Sequence, residues 1–423
     1  MMMLRLFLAV SALAFAVSAA AQCRFDPLDR GRVVKLSGGQ LPMASGMALA
    51  SLSVMRVEKG RFVPVAYQFD ELDRHGMVWF EGTGFELAGT PGQLDDQDQL
   101  LMMLTDAGPR APAGLVPDRG RVVARLGVAE DCHFYLVHGN ASRSDNYYVS
   151  HDIRSGQTRT ALYQLDVDPD NELNWYYLGY RGYQGEGSII DTLKMRMSAG
   201  VLSRFTRMTL DNHNLRPKLV GHSVGPIRSV MHLRTRVVLA GIPVMTIQVQ
   251  AMRYAAHYEA HTYARIPDLY RATLKDPQVS VTVDGNDQLG AAVYTANFVD
   301  TPVIVDGKPN DSAFSGQALS MADNWILFDS NRQFALLTHL TVPEALMGTP
   351  LALIYQDDAT LEVEPEQFPG QLPNLGYSLQ GWPQPEELRF TVSLYFEDGL
   401  EGFAADEFAS QRAAVVPVTV EGG

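Results

Sequence analysis

Between Arg228 and Tyr263 the chain alternates apolar and polar residues with a period of two: RSVMHLRTRVVLAGIPVMTIQVQAMRYAAHYEAHTY. That period sends successive side chains to opposite faces of a strand. Two such runs flank Ala240-Gly241-Ile242-Pro243, which predicts a long β-hairpin. Register decides what each face holds. A two-residue turn at Ala240-Gly241 would set Arg236 opposite Met245 and mix both faces. A loop one residue longer, Ala240 to Ile242, pairs Val237 with Met245, Thr235 with Ile247, Leu233 with Val249 and Met231 with Ala251. One face is then dry. The other collects Arg228, His232, Arg234, Arg236, Thr246, Gln248, Gln250 and Tyr254. Three-residue hairpin loops containing glycine are common, and we expect this second register.

The same period recurs through GRVVARLGV, CHFYLVHG, VSVTVDGND and ELRFTVSLYFEDG, each bounded by turn-forming residues. SIIDTLKMRMSAGVLS predicts a helix over residues 188–200. A helical turn is expected over 342–346 and a short helix within DEFASQRAAV. The fold class that follows is all-β: two sandwich-like domains with few short helices, an N-terminal one over residues 22–165 and a larger one over 166–423.

Composition narrows the class. Hydrophobic residues are 46% and charged residues 19%, enough apolar content to bury a core. The balance of 34 Lys+Arg against 48 Asp+Glu gives −14, which argues against nucleic acid as a partner. Residues 1–21 pair an early Arg5 with the apolar run LFLAVSALAFAV and small residues before Gln22. This is a secretory signal pattern, so the protein is expected in the periplasm or outside the cell. No later segment reaches membrane-spanning length. In an exported chain the two cysteines, Cys23 and Cys132, suggest one disulfide.

Candidate chemistry is sparse. His257, Glu259 and His261 fall on one side of a strand, as does Tyr263, and two imidazoles with a carboxylate suit a divalent metal such as zinc. Two acidic sets, Asp95-Asp96-Asp98 with Asp106 and Asp166-Asp168-Asp170-Glu172, carry oxygen ligands of the kind calcium takes. Trp175, Tyr176 and Tyr177, interleaved with glycines further on, read as a sugar-stacking platform or a sandwich core cap. Gly221-His222-Ser223-Val224-Gly225 spells the letters of a hydrolase nucleophile elbow, for which Asp323 and His339 are the first partners to try.

PVAYQFDELD followed by LDDQDQLLMMLTDAG resembles the opening of a family of uncharacterised exported bacterial β-sandwich proteins, with a Q-x-D segment before a D-x-D strand motif. That resemblance covers about residues 60–108 and implies no reaction. Gln99 stands where an acidic residue is expected. The GPIR sequence entering the hairpin resembles the large sandwiches of the galactose-mutarotase-like group and related polysaccharide lyases, over about residues 170–400. The resemblance implies a carbohydrate on a sheet face lined by His, Arg, Gln and aromatics. The matching positions are His232, Arg234, Arg236, Gln248 and Tyr254.

The function expected is exported binding or processing of acidic glycans on this polar face. Arg234, Arg236, Gln248, Gln250, Trp175 and Tyr177 would bind, and His232 or Tyr254 would move a proton if the protein is a lyase. The alternative is a non-enzymatic envelope component that uses the face to bind another protein. The third reading is a serine hydrolase at Ser223.

Overall fold

The computed structural model describes residues 23–423 except 202, 204, 240, 310–313, 364–366, 382–385 and 401. The expected signal, residues 1–21, lies outside the described residues.

Alternation along Arg228–Leu239 and Ile242–Tyr254 builds part of a ten-stranded antiparallel sheet. The long arms of the hairpin take the register expected, with Val237 opposite Met245, Thr235 opposite Ile247, Leu233 opposite Val249 and Met231 opposite Ala251. The tip differs. Leu239 pairs with Ile242 and Val238 with Pro243, so the turn is the shorter one. The register then shifts between Val237 and Val238, and a bulge rather than the loop absorbs the extra residue. His257–Arg265 continues the sheet, followed in space by Glu387–Glu397 and Ala335–Thr341.

The dry face of this sheet meets a six-stranded and a four-stranded sheet across the main core. Met231, Ala251, Tyr258, Leu340, Val392 and Phe396 pack there with Leu165, Trp175 and Leu178. A smaller sandwich precedes it. Its three-stranded sheet, with Val33–Ser37 at one edge, packs against a six-stranded sheet through Val34, Leu36, Leu100, Leu126 and Phe134. A disulfide joins Cys23 to Cys132 at its rim. Thr419–Gly422 returns to this first sandwich and pairs with Arg121–Ala129.

Two expectations fail for identifiable reasons. Ile190–Val201 is a strand between Arg207–Leu210 and Leu274–Gly285, not a helix. Register shifts near Asp191 and Ala199 break its period of two, so buried Ile190 and Leu193 fall three residues apart as in a helix. Residue 165, the expected domain boundary, lies inside the strand Tyr163–Asp168, hydrogen-bonded on both sides. Sheet membership changes instead between Cys132–His138 and Val149–Asp152. The helical turn and the late helix are present as Glu344–Leu346 and Ala405–Ala413. The helix Asp268–Thr273 was not expected.

Candidate functional site

The polar face of the ten-stranded sheet does not lie open. The first sandwich and the chain around residues 68–85 cover it. Gln68 and Asp70, the Q-x-D of the first motif, grip the GPIR segment of the second. The Gln68 side-chain oxygen accepts from the main-chain N–H groups of Ile227 and Arg228, at 3.3 and 3.1 Å. Asp70 accepts from Arg228 Nε at 2.7 Å, and Arg228 Nη1 donates to the Tyr254 hydroxyl at 2.7 Å. Gly225 is needed here because a Cβ would fall 2.1 Å from the Gln68 oxygen. Gln250 exchanges two hydrogen bonds with the main chain of Val78. His232 lies between the rings of Phe80 and Phe85 and bonds Gln248 at 3.1 Å.

This changes the standing of the residues singled out from sequence. His232, Gln250 and Tyr254 are each at most 1% exposed, and they hold two units together rather than face a solute. Arg234 is half-buried and donates to the Thr83 carbonyl, while Arg236 is exposed and Gln248 half-buried. Trp175 is a core residue, edge-on to Tyr258 at 4.8 Å, and Tyr177 is half-buried; of the trio, Tyr176 faces solvent.

Further along the same face a cavity of about 490 Å³ remains between the sheet and the first sandwich. Strand pairing dictates its floor. One row runs Met252, Glu259, Ser393, His339 across four strands, and the next runs Gln250, His261, Thr391, Thr341. His257 pairs with Tyr395 in a third row. Lys35 from Val33–Ser37 forms the roof, with Arg228 and Arg412 also lining the space. Thus His257, Glu259 and His261 do share a side, as alternation requires. Lys35, His339, Tyr395 and Arg412 join them from distant segments. The alternation of ELRFTVSLYFE could have flagged Tyr395 and Ser393 as face residues, but nothing local places that strand beside His257.

The trio does not form a metal centre. No group of three or more His, Cys, Asp or Glu among the described residues could hold an ion. His257 and His261 stand four residues, about 13 Å, apart along the strand, so both imidazoles would have to lean fully inward to meet one ion. Glu259 is also engaged, by Lys35 Nζ at 2.7 Å and the Tyr254 hydroxyl at 2.9 Å. The acidic sets are engaged as well. Asp95 N–H bonds Asp98, Asp170 N–H bonds Asp168, and Glu172 is buried against Arg253.

Electrostatics leave the imidazoles neutral. Burial pushes His257 and His261 down to about 4, with Glu259 pulling weakly the other way. Burial also lowers His339. Burial would raise Glu259, but Lys35 and His257 outweigh it and hold the carboxyl well below its usual range. A histidine depressed on folding takes up its proton first in the unfolded chain, so acid destabilises the fold between pH about 6.5 and about 4. Asp98 and Asp284, raised by burial to about 6 and about 7, act with the opposite sign over the same range. We therefore expect His261→Asn to shrink the wild-type loss of stability from pH 7.5 to pH 5 by about 2 kcal/mol. Denaturant titrations at the two pH values check this, and an equal loss in both proteins refutes it.

The hydrolase reading fails on topology. Gly221–Val224 lies within the strand Leu219–Val224, paired antiparallel to Arg228–Leu239, with no helix following. A nucleophile elbow needs a strand, a sharp turn and a helix. Ser223 shares a row with His339 but lies five strand spacings away, roughly 24 Å.

No protein-family model matches this chain, and no curated protein matches it. Solved structures resemble it in fold. An α-mannosidase from Enterococcus faecalis V583 aligns over 93% of this chain and 44% of its own, at 8% identity and a TM-score of 0.50. A glycosyl hydrolase family 38 protein from Enterococcus faecalis aligns over 93% and 45%, again at 8% and 0.50. A putative aldose 1-epimerase from Escherichia coli K12 aligns over 59% and 98%, at 7% and 0.33. This chain spans less than half the length of the first two. Among the described residues, no helix is long and apolar enough to cross a membrane.

Proposed function

We propose that this protein binds an acidic saccharide unit in the cavity between Val33–Ser37 and the polar sheet face. The carrying observation is the lining: three neutral imidazoles beside an ionised Glu259–Lys35 pair, with Arg228, Arg412 and Tyr395 around them. Neutral imidazoles both donate to and accept from sugar hydroxyls. The cations of the wall are paired, Arg228 with Asp70, Arg412 with Glu397 and Lys35 with Glu259, and Lys35, the most exposed of them, is the one placed to meet a uronate carboxylate as well. The Tyr395 ring offers a flat surface beside His257, at 5.3 Å. The fold shared with an α-mannosidase and a family 38 glycosyl hydrolase supports this reading at the level of architecture. The site is thus moved from the covered end of the hairpin to the open part of the same face.

A glycan array with the purified chain tests the reading. Wild type and Arg234→Ala/Arg236→Ala should bind the same acidic glycans, while His261→Ala should lose at least about tenfold in affinity. Loss in the double variant alone would place binding on the outer face at Arg236 and Gln248. Silence from all three folded proteins would overturn the reading in favour of an envelope component with a protein partner. Absorbance of unsaturated product, followed on any glycan bound, reports whether binding leads to lyase turnover.

A further inference from the structure

The strand Asn171–Tyr180 ends the four-stranded sheet, and next to it runs Ile190–Val201. Both depart from regular pairing. Asp168 pairs with Asn171 but Val167 with Trp175, so residues 172–174 have no partner there. Ile190 pairs with Gly285 and Thr192 with Asp284, so Asp191 is the extra residue of a bulge. Bulges re-aim side chains. The two irregularities border one cavity of about 420 Å³, lined by Asn171, Asn174, Asp191 and Thr192 together with Phe368 and Gln371. It shares no lining residue with the cavity under Val33–Ser37.

The wall is held in shape by its own hydrogen bonds. Arg207–Leu210 pairs only with Met197–Gly200, and the Asn212 side chain takes over along the open edge. It accepts from the Met195 N–H and donates to the Leu193 carbonyl, both at 2.8 Å. The Gln371 oxygen accepts from the Phe368 N–H at 2.7 Å, and the same side chain bonds the Asp191 carboxylate. Gln367 accepts from Lys194 Nζ at 2.8 Å and donates to the Gln371 carbonyl at 2.7 Å. A wall ordered before binding spares a guest the cost of ordering it.

Pockets of this size are usually mostly apolar. Here amides, a hydroxyl and one carboxylate stand beside a single aromatic ring, Phe368, which is 42% exposed. The side chains of Asn174 and Thr192 make no hydrogen bond among the described residues. Amides and hydroxyls donate as well as accept, and a carboxylate takes two donors at once, which matches adjacent hydroxyls. An exposed ring suits the C–H face of a pyranose. Asp191 would repel a second carboxylate, and Arg216, the one guanidinium of the wall, already donates to the carbonyls of His213 and Leu215. The chemistry therefore favours an uncharged guest.

We propose that this cavity is a second saccharide site, for a neutral pyranose whose C–H face stacks on Phe368 and whose hydroxyls meet Asp191 and Asn174. The proposal does not rest on binding in the first cavity.

Saturation-transfer NMR on the full chain, with the methyl glycosides of glucose, mannose, galactose and N-acetylglucosamine, is the test. We expect transfer to the ring protons of at least one of them, undisplaced by excess methyl glucuronide. Phe368→Ala should abolish it. Asp191→Asn, which keeps the shape but not the charge, should weaken affinity at least about tenfold. His261→Ala, which alters the first cavity, should bind as wild type. Circular dichroism checks each fold, and Asn174→Ala replaces Asp191→Asn if that variant does not fold. No transfer to any of the four, wild-type binding in both Phe368→Ala and Asp191→Asn, or displacement by the glucuronide would each overturn the proposal. Loss in His261→Ala alone would do the same, by placing the neutral sugar in the first cavity.

Discussion

Replacing Arg228 with methionine is expected to cost about 3–5 kcal/mol of stability. Arg228 is 3% exposed and meets Asp70 through Nε and Nη2, both at 2.7 Å. Methionine removes the charge but keeps the stem. It leaves the Asp70 carboxylate, 7% exposed, with Gln68 as its remaining side-chain partner, at 2.9 and 3.0 Å. An uncompensated buried charge accounts for most of the loss. The Tyr254 hydroxyl also loses its donor, so its bond to Glu259 at the cavity wall loosens. Arg228→Met/Asp70→Leu, which removes both charges, should recover much of the stability. Guanidinium titrations of wild type and both variants decide the matter. A loss below about 1 kcal/mol in the single variant would mean that water reaches Asp70 and that the pair behaves as a surface one.

Removing the disulfide should have a comparable effect on the first sandwich. Cys23 and Cys132 are 109 residues apart. In the chain-entropy account, a bridge closing a loop of that length stabilises by about 4–5 kcal/mol. Cys132 is fully buried and belongs to the core of that sandwich, so alanine at both positions also removes some packing. We expect the midpoint of denaturant unfolding to fall sharply in Cys23→Ala/Cys132→Ala, as it should in wild type under reducing conditions. An unchanged midpoint in both would show that the unfolded chain gains little freedom without the bridge.

The hairpin shows how far sequence carries. Alternation alone set the pairing of Met231 with Ala251 and Val237 with Met245, because only that register leaves one face dry. Alternation cannot say what covers the other face. Gln250 reads as a solvent-facing amide until the main chain of Val78, 172 residues away, bonds both its oxygen and its nitrogen. The same gap hid the link between two motifs that were each visible: Gln68-Phe69-Asp70 and Gly225 to Arg228 are 158 residues apart where Asp70 meets Arg228. His257, Glu259 and His261 were legible as neighbours on one face. Their wide spacing along the strand follows from the same geometry, but the engagement of Glu259 by Lys35 and Tyr254 does not. Lys35, His339 and Arg412 carried no local signal, since sheet order rather than sequence order brings them to the cavity.

The strand Thr419–Gly422 carries one more consequence. It completes a sheet whose partner strand lies 292 residues earlier, at Gly127. The first sandwich is therefore discontinuous in the chain and cannot finish its sheet as it leaves the ribosome. That edge stays open while the larger sandwich is made, and its unpaired N–H and C=O groups can recruit any passing strand. Contacts of such long range also form slowly, because the loop must close before the pairing rewards it. A fragment ending before residue 419 would carry the same open edge permanently, so self-association, rather than unfolding, is the failure to look for in it.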